Sequence, residues 1–455
     1  MRTTNVFGKS LVACAIAALF ASSSVWAQSS KVDIQDINQS QAGLLNSQGM
    51  DLGNSKGKGS TNVTAKNVNQ SQAGLLNSQK MGVGNSDQGK TNVKVSNINQ
   101  SQAGLLNSQE LTIGNAGKGG QSNVAVSNVN QSQAGLLNRQ KMAIGDAGSG
   151  KSNVRNGGPI NQGQAGLLNN QEMNLGSVSG KGSTNVVTGT VMQGQAGLLN
   201  NQKMNVGSSS GNGKSNVAAG AILQGQAGLL NDQNMNVGGS SGNGQSNVAA
   251  GAVIQGQAGL LQRQNMELGS SSGSGKSNVA VGAAIQGQAG LLNNQDMQIG
   301  KSSGSGKSNV AVGAAIQGQA GLLNNQQMKI GNTSGSGKSN VAVGAAIQGQ
   351  AGLLNNQQLE VGNASGSGKS NVAVGAIVQG QAGLLQNQQA KIGNSTGGVS
   401  NVAVGAVIQG QAGLLNSQQV NIGNSSGGSA NVATGAIVQG QAGLLNVQKV
   451  NIGNN

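Results

Sequence analysis

Apolar residues along this chain alternate with polar ones at a period of two, inside a larger period of about 31 residues. In the unit Ser308 to Lys338, Val310, Val312 and Ala314 alternate with other residues, as do Met328 and Ile330. That alternation predicts short strands with one buried face. Helical spacing is absent, and glycine and asparagine recur too often for a helix. The unit closes on Asn332-Thr333-Ser334-Gly335-Ser336-Gly337-Lys338, which reads as a Gly/Ser loop between units.

The larger period is a tandem repeat. The core Gln-Ala-Gly-Leu-Leu occurs fourteen times, with its glycine at Gly43, Gly74 and Gly104 through Gly443, in steps of 31 residues except three of 30. Counted from that glycine, the residues four before, two before and five after are glutamine in every copy. Three after stands asparagine, replaced only by Gln262 and Gln386, and ten after stands glycine. Positions seven and nine after are apolar, often methionine and then leucine, valine or isoleucine. These columns predict an all-β fold: a β-solenoid or cross-β stack of fourteen repeats of 30–31 residues, one rung of two or three short strands per repeat. A column then becomes a ladder at ~4.8 Å spacing, with amides bonding their own kind above and below. The candidate assembly ladder is Gln286, Gln288, Asn293 and Gln295, then Gln317, Gln319, Asn324 and Gln326, then Gln348, Gln350, Asn355 and Gln357. Lys301, Lys329 and Asn332 read as exposed positions beside it. The methionine column reads as flexible core packing.

The copies fall into two blocks. Five residues before the core glycine, the first five copies carry Asn38, Asn69, Asn99, Asn130 and Asn161, whereas the last nine carry Met192, Leu223, Ile254, Ile285, Ile316, Ile347, Val378, Ile408 and Val438. The preceding position is aliphatic throughout, so the later copies hold an apolar pair, and the sequence leaves open which member faces inward. The boundaries are 1–27 for a leader, 28–166 for the first block and 167–455 for the second. Pro159, the only proline, sits at the junction and predicts a local irregularity, because proline cannot donate to a ladder.

The leader has Arg2 and Lys9, an apolar run from Ser10 to Phe20, and the small-residue site Val25-Trp26-Ala27, the layout of a secretory signal peptide. It holds every aromatic (Phe7, Phe20, Trp26) and the lone Cys14, and the chain has no histidine or tyrosine. The repeats therefore lack thiol, imidazole and aromatic ring, which removes cysteine nucleophiles, His-dependent triads and the usual metal ligands. No enzyme activity, cofactor or membrane span is expected.

The formal charge of +15 falls to +13 once Arg2 and Lys9 leave. Lys151, Lys214, Lys276, Lys307, Lys338 and Lys369 recur before Ser-Asn-Val, reading as a basic stripe of loop lysines. Such a stripe attracts acidic polysaccharide or extracellular DNA. The plainer role, a solvated lysine that discourages edge-to-edge sticking, is favoured because no aromatic interleaves with it. The eleven acids form no pair repeated within a unit, so a carboxylate-pair hydrolase is not expected.

Ser96, Gln102, Gly104 and Asn107, and likewise Ser127, Gln133, Gly135 and Asn138, spell Ser-x5-Gln-x-Gly-x2-Asn. This resembles the front half of the curlin repeat of curli-type bacterial amyloid, and its Gln-x-Gly-x2-Asn part recurs in twelve of fourteen copies. The Asn-Val-Ala-x-Gly segments are similar to Fap-type amyloid subunits. Departures are a longer unit, no aromatic ladder, and aliphatic Ile113, Ile144 and Ile330 where curlin repeats place a second glutamine. The resemblance implies a secreted, self-polymerising subunit of extracellular fibres in a biofilm matrix or on a bacterial cell surface, served by export machinery and a nucleator. A monomeric β-solenoid adhesin or binding protein is the alternative.

Overall fold

A computed structural model describes residues 29–453; the leader reading lies outside these residues. Among the described residues there is no helix, and the repeats form one parallel β-solenoid with each repeat one turn. A typical turn has a 14-residue strand, Lys307–Ala320, an arch, and an 8-residue strand, Leu323–Ile330. Thr333–Gly335 then forms a three-residue strand before the next turn. Every strand pairs in parallel with its copy one repeat away, like on like: Gln286 with Gln317, Gln317 with Gln348, and Val310 with Val341. The first three turns run as unbroken 24-residue strands such as Lys90–Ile113.

The interior is split between oil and amides. Val310, Val312, Ala315, Met328 and Ile330 are buried, and their copies form one continuous apolar column through the rod. The methionines from Met81 to Met328 in this column are core, as their spacing indicates. Toward the arch, Gln317, Gln319, Asn324 and Gln326 fill the space between the two strands and are also buried. Two glycine columns shape the turns. Gly331 sits at φ 67°, and a Cβ there would stand 2.2 Å from Val372 Cγ2. At the arch, a Cβ on Gly321 would stand 1.8 Å from the Gly290 carbonyl oxygen, so only glycine lets the turns stack at strand spacing.

The structure corrects the sequence reading at several positions. The inward phase of the long strand slips by one residue at Gly313–Ala314, so Ala315, not Ala314, is buried. This slip also settles the apolar pair: Ala315, Ile377 and Val407 face inward, and Ile316, Val378 and Ile408 face outward. The Gly/Ser segments are no plain spacers, since Ser302–Gly304 and Thr333–Gly335 pair as a small sheet of their own. The lysines Lys276, Lys307, Lys338 and Lys369 are exposed but begin the long strands and lie in register with one another. At Pro159 the long strand breaks into Lys151–Asn156 and Ile160–Ala165, the irregularity that proline predicts.

Candidate functional site

The arch brings the four amide columns together. Gln317 Nε2 donates to Gln286 Oε1 one turn below at 2.8 Å, Gln319 to Gln288 at 2.9 Å, and Gln326 to Gln295 at 2.9 Å. Gln319 Nε2 also reaches across the arch to the Asn325 carbonyl at 3.2 Å, tying the two strands of one turn. Asn324 runs the other way: its Nδ2 donates up to Asn355 Oδ1 and to the Ala351 carbonyl, both at 2.9 Å. The ladders from Gln286 to Gln295 and from Gln348 to Gln357 repeat this geometry, except where Gln386 follows Asn355. All twelve sequence-selected amides are thus buried in four parallel ladders. A buried amide that loses its partner costs about 1–3 kcal/mol, so these columns hold register as well as stability.

The two exceptions in the asparagine column leave scars. Gln262 and Gln386 turn their Nε2 to backbone carbonyls, and their Oε1 atoms stay buried without a partner. The next asparagines up, Asn293 and Asn416, likewise have an unpartnered Oδ1. A glutamine is one methylene too long to hand its amide along an asparagine ladder.

Sequence reasoning missed three features. Ser308 is fully buried, and its hydroxyl donates to the Gly269 carbonyl of the turn below the adjacent corner. A serine or threonine at this position in every copy except Ala430 was the available signal. Asn332 is no surface bystander, because its Oδ1 accepts from the Asn363 backbone N–H at 3.0 Å and its Nδ2 donates to Glu360 at 3.0 Å. The invariant leucine pair faces outward: Leu322 is 44% and Leu323 41% exposed. All twenty-eight leucines of the pairs stand on the arch tip as an exposed apolar ridge along the rod. A soluble monomer rarely exposes so large a contiguous patch.

One carboxyl is perturbed. Burial raises the Asp146 pKa from 3.8 to about 7, opposed by the Ser177 backbone N–H and by Lys141. Asp146 replaces an asparagine in a corner column, accepting from Ser177 N–H at 2.9 Å as Asn115 accepts from Asp146 N–H at 3.0 Å. The position is structural.

Fold and columns together define a parallel β-solenoid repeat protein whose interior is half amide ladder. In comparisons with known proteins, no family model, no curated protein and no solved structure matches the chain.

Proposed function

We propose that this chain is a secreted structural subunit that stacks end to end into amyloid-like extracellular fibres of a bacterial biofilm matrix or cell surface, and performs no catalysis. The observation that carries this reading is the complementarity of the two outermost described turns. In the first, Gln39 and Gln41 accept through Oε1 from Gln70 and Gln72, so their Nε2 groups are directed to the lower edge. In the last, Gln439 and Gln441 donate through Nε2 to Gln409 and Gln411, so Gln439 Oε1 is directed to the upper edge, while Gln441 Oε1 is buried and without a partner. The last turn also exposes Val450 and Ile452, members of columns that are buried in the turns beneath. A second copy stacked in register joins donor to acceptor and covers the apolar edge, by the same pairing that joins turns within one chain.

Seeded growth tests this reading. Purified mature chain grows on preformed seeds without a lag, in proportion to its concentration. Gln439→Leu with Gln441→Leu, which touches only the last turn, slows elongation at least tenfold and leaves strand circular dichroism unchanged. A chain that stays monomeric at every concentration, or a variant that elongates like wild type, ends the fibre reading. The adhesin reading then leads, with the leucine ridge as its surface.

A further inference from the structure

Past its phase slip, the outward side of the long strand is an uncharged face of the rod throughout the last nine turns. Past the phase slip at Gly313, the outward positions are Ala314, Ile316, Gly318 and Ala320. In the last nine turns the Ile316 column is always aliphatic or methionine and the Gly318 and Ala320 columns never change; the Ala314 column is alanine except at Thr190. None of these columns carries a charge in those turns. The glycine column is open: a Cβ on Gly287, Gly318 or Gly349 meets no atom within 4 Å. It therefore forms a trough beside the aliphatic ridge.

We infer that this face binds the same face of a second copy, pairing two rods side by side about a two-fold axis parallel to their length. The relief of the face selects that partner. The outward order Ala314, Ile316, Gly318, Ala320 is set against its own reverse by such an axis. Alanine then meets alanine, and each copy's aliphatic ridge enters the other's glycine trough, an isologous fit of large on small. The face repeats every ~4.8 Å along the rod, and only another rod of that period matches it at every turn. At ~3.3 Å per residue the seven positions span ~23 Å, and nine turns span ~43 Å, which gives on the order of 1,000 Å² per copy. That meets the ~800 Å² per partner of a stable interface. The pairing is confined to one block, because the first turns present Asn97, Asn99 and Ser101 at the matching positions. It is also separate from end-to-end stacking, which uses the rod's edges and not its side.

The test uses full mature chain in two forms, soluble rods and fibres. Gly287→Glu with Gly349→Glu places two charges in the trough, two turns apart, where the added side chains meet open space. Ser71→Glu with Ser132→Glu places the same charges in the same column of the first block. Wild type and the serine variant should sediment as dimers and form fibres of paired width. The glycine variant should dissociate at least a hundredfold more readily and give single-width fibres, with strand circular dichroism and seeded elongation rate unchanged. Three results overturn the inference: wild-type rods that are unpaired in both forms, a glycine variant that pairs like wild type, or equal loss of pairing in the serine variant. Unpaired wild-type rods that cosediment with phosphatidylcholine vesicles, and lose this in the glycine variant, assign the face to lipid instead. Failure of elongation in wild type sinks the fibre reading and leaves the soluble dimer measurement intact.

Discussion

The first five turns and the last nine share one interior and wear different exteriors. Inside, both carry the same glutamine, asparagine and apolar columns. Outside, the first block extends its amide ladders to the surface. Asn69 donates to Asn38 at 2.7 Å, and the chain of bonds continues through Asn99 and Asn130 to Asn161. A second outer ladder joins Asn67, Asn97 and Asn128. In the second block those positions are Ala314 and Ile316 and their copies, which bond nothing. The join is marked by Asn161, whose Oδ1 is buried without a partner because Met192 stands above it. Interior columns are held by the need to pair every buried amide. Exterior columns answer to what the surface meets, which is water in one block and, in our inference, a second rod in the other.

If the interiors are equivalent, breaking them should cost the same in either block, and this is the largest effect expected. Leucine at Gln286, Gln317 and Gln348 removes one column over three turns, and leucine at Gln70, Gln100 and Gln131 does so in the first block. Each set strands amides at both ends of the break and should destabilise by about 3–6 kcal/mol in chemical denaturation. A loss in one block more than twice that in the other would show that the shared interior is not energetically shared. Repair gives a smaller effect of opposite sign. Gln262→Asn and Gln386→Asn restore the asparagine ladder and should each stabilise by about 1–2 kcal/mol, both within the second block. No gain in the denaturation midpoint would mean that the unpartnered atoms at Asn293 and Asn416 find other partners.

The junction itself can be moved. Met192→Asn carries the outer ladder one turn further and gives Asn161 Oδ1 a donor, worth about 1 kcal/mol. It should also shorten the paired face by one turn, so thermal stability rises while dimer affinity falls slightly. The smallest effect belongs to pH. The Asp146 pKa is raised in the folded chain, so the fold favours its protonated form. Stability from this group is complete below pH 4 and declines as pH rises through about 7. Because Asp146 keeps some contact with solvent, the loss is on the order of 1 kcal/mol rather than the full value of such a shift. Asp146→Asn, matching Asn115, should flatten the profile between about pH 4 and 7. The second block, with Asn332, Asn363 and Asn394 in this column, should show no such slope. An unchanged slope in the variant would place the titration elsewhere.

Much of this was legible before any coordinates. Identical residues at a fixed period need identical surroundings, and only parallel in-register stacking supplies them to Gln317, Asn324 and Gly331 alike. What failed to read was orientation. The alternation through Val310 and Val312 was carried one step too far, because a one-residue slip at a glycine corner changes which face is buried and leaves no trace in composition. Leu322 and Leu323 mislead for a related reason. Their hydrophobicity argues for burial, but the arch must reverse the chain there, and its tip has no interior to offer.

The sequence by itself determined the repeat, the all-β class, the stacking direction of the columns and the poverty of catalytic groups, because each depends on residue type and spacing alone. Only the tertiary structure decided which side of each strand faces in, that the leucines and Ile316 column are exposed, and that Ser308 and Asn332 bind the turns together. Those outcomes depend on where the chain bends, and a bend of one residue exchanges the inner and outer faces of all that follows it.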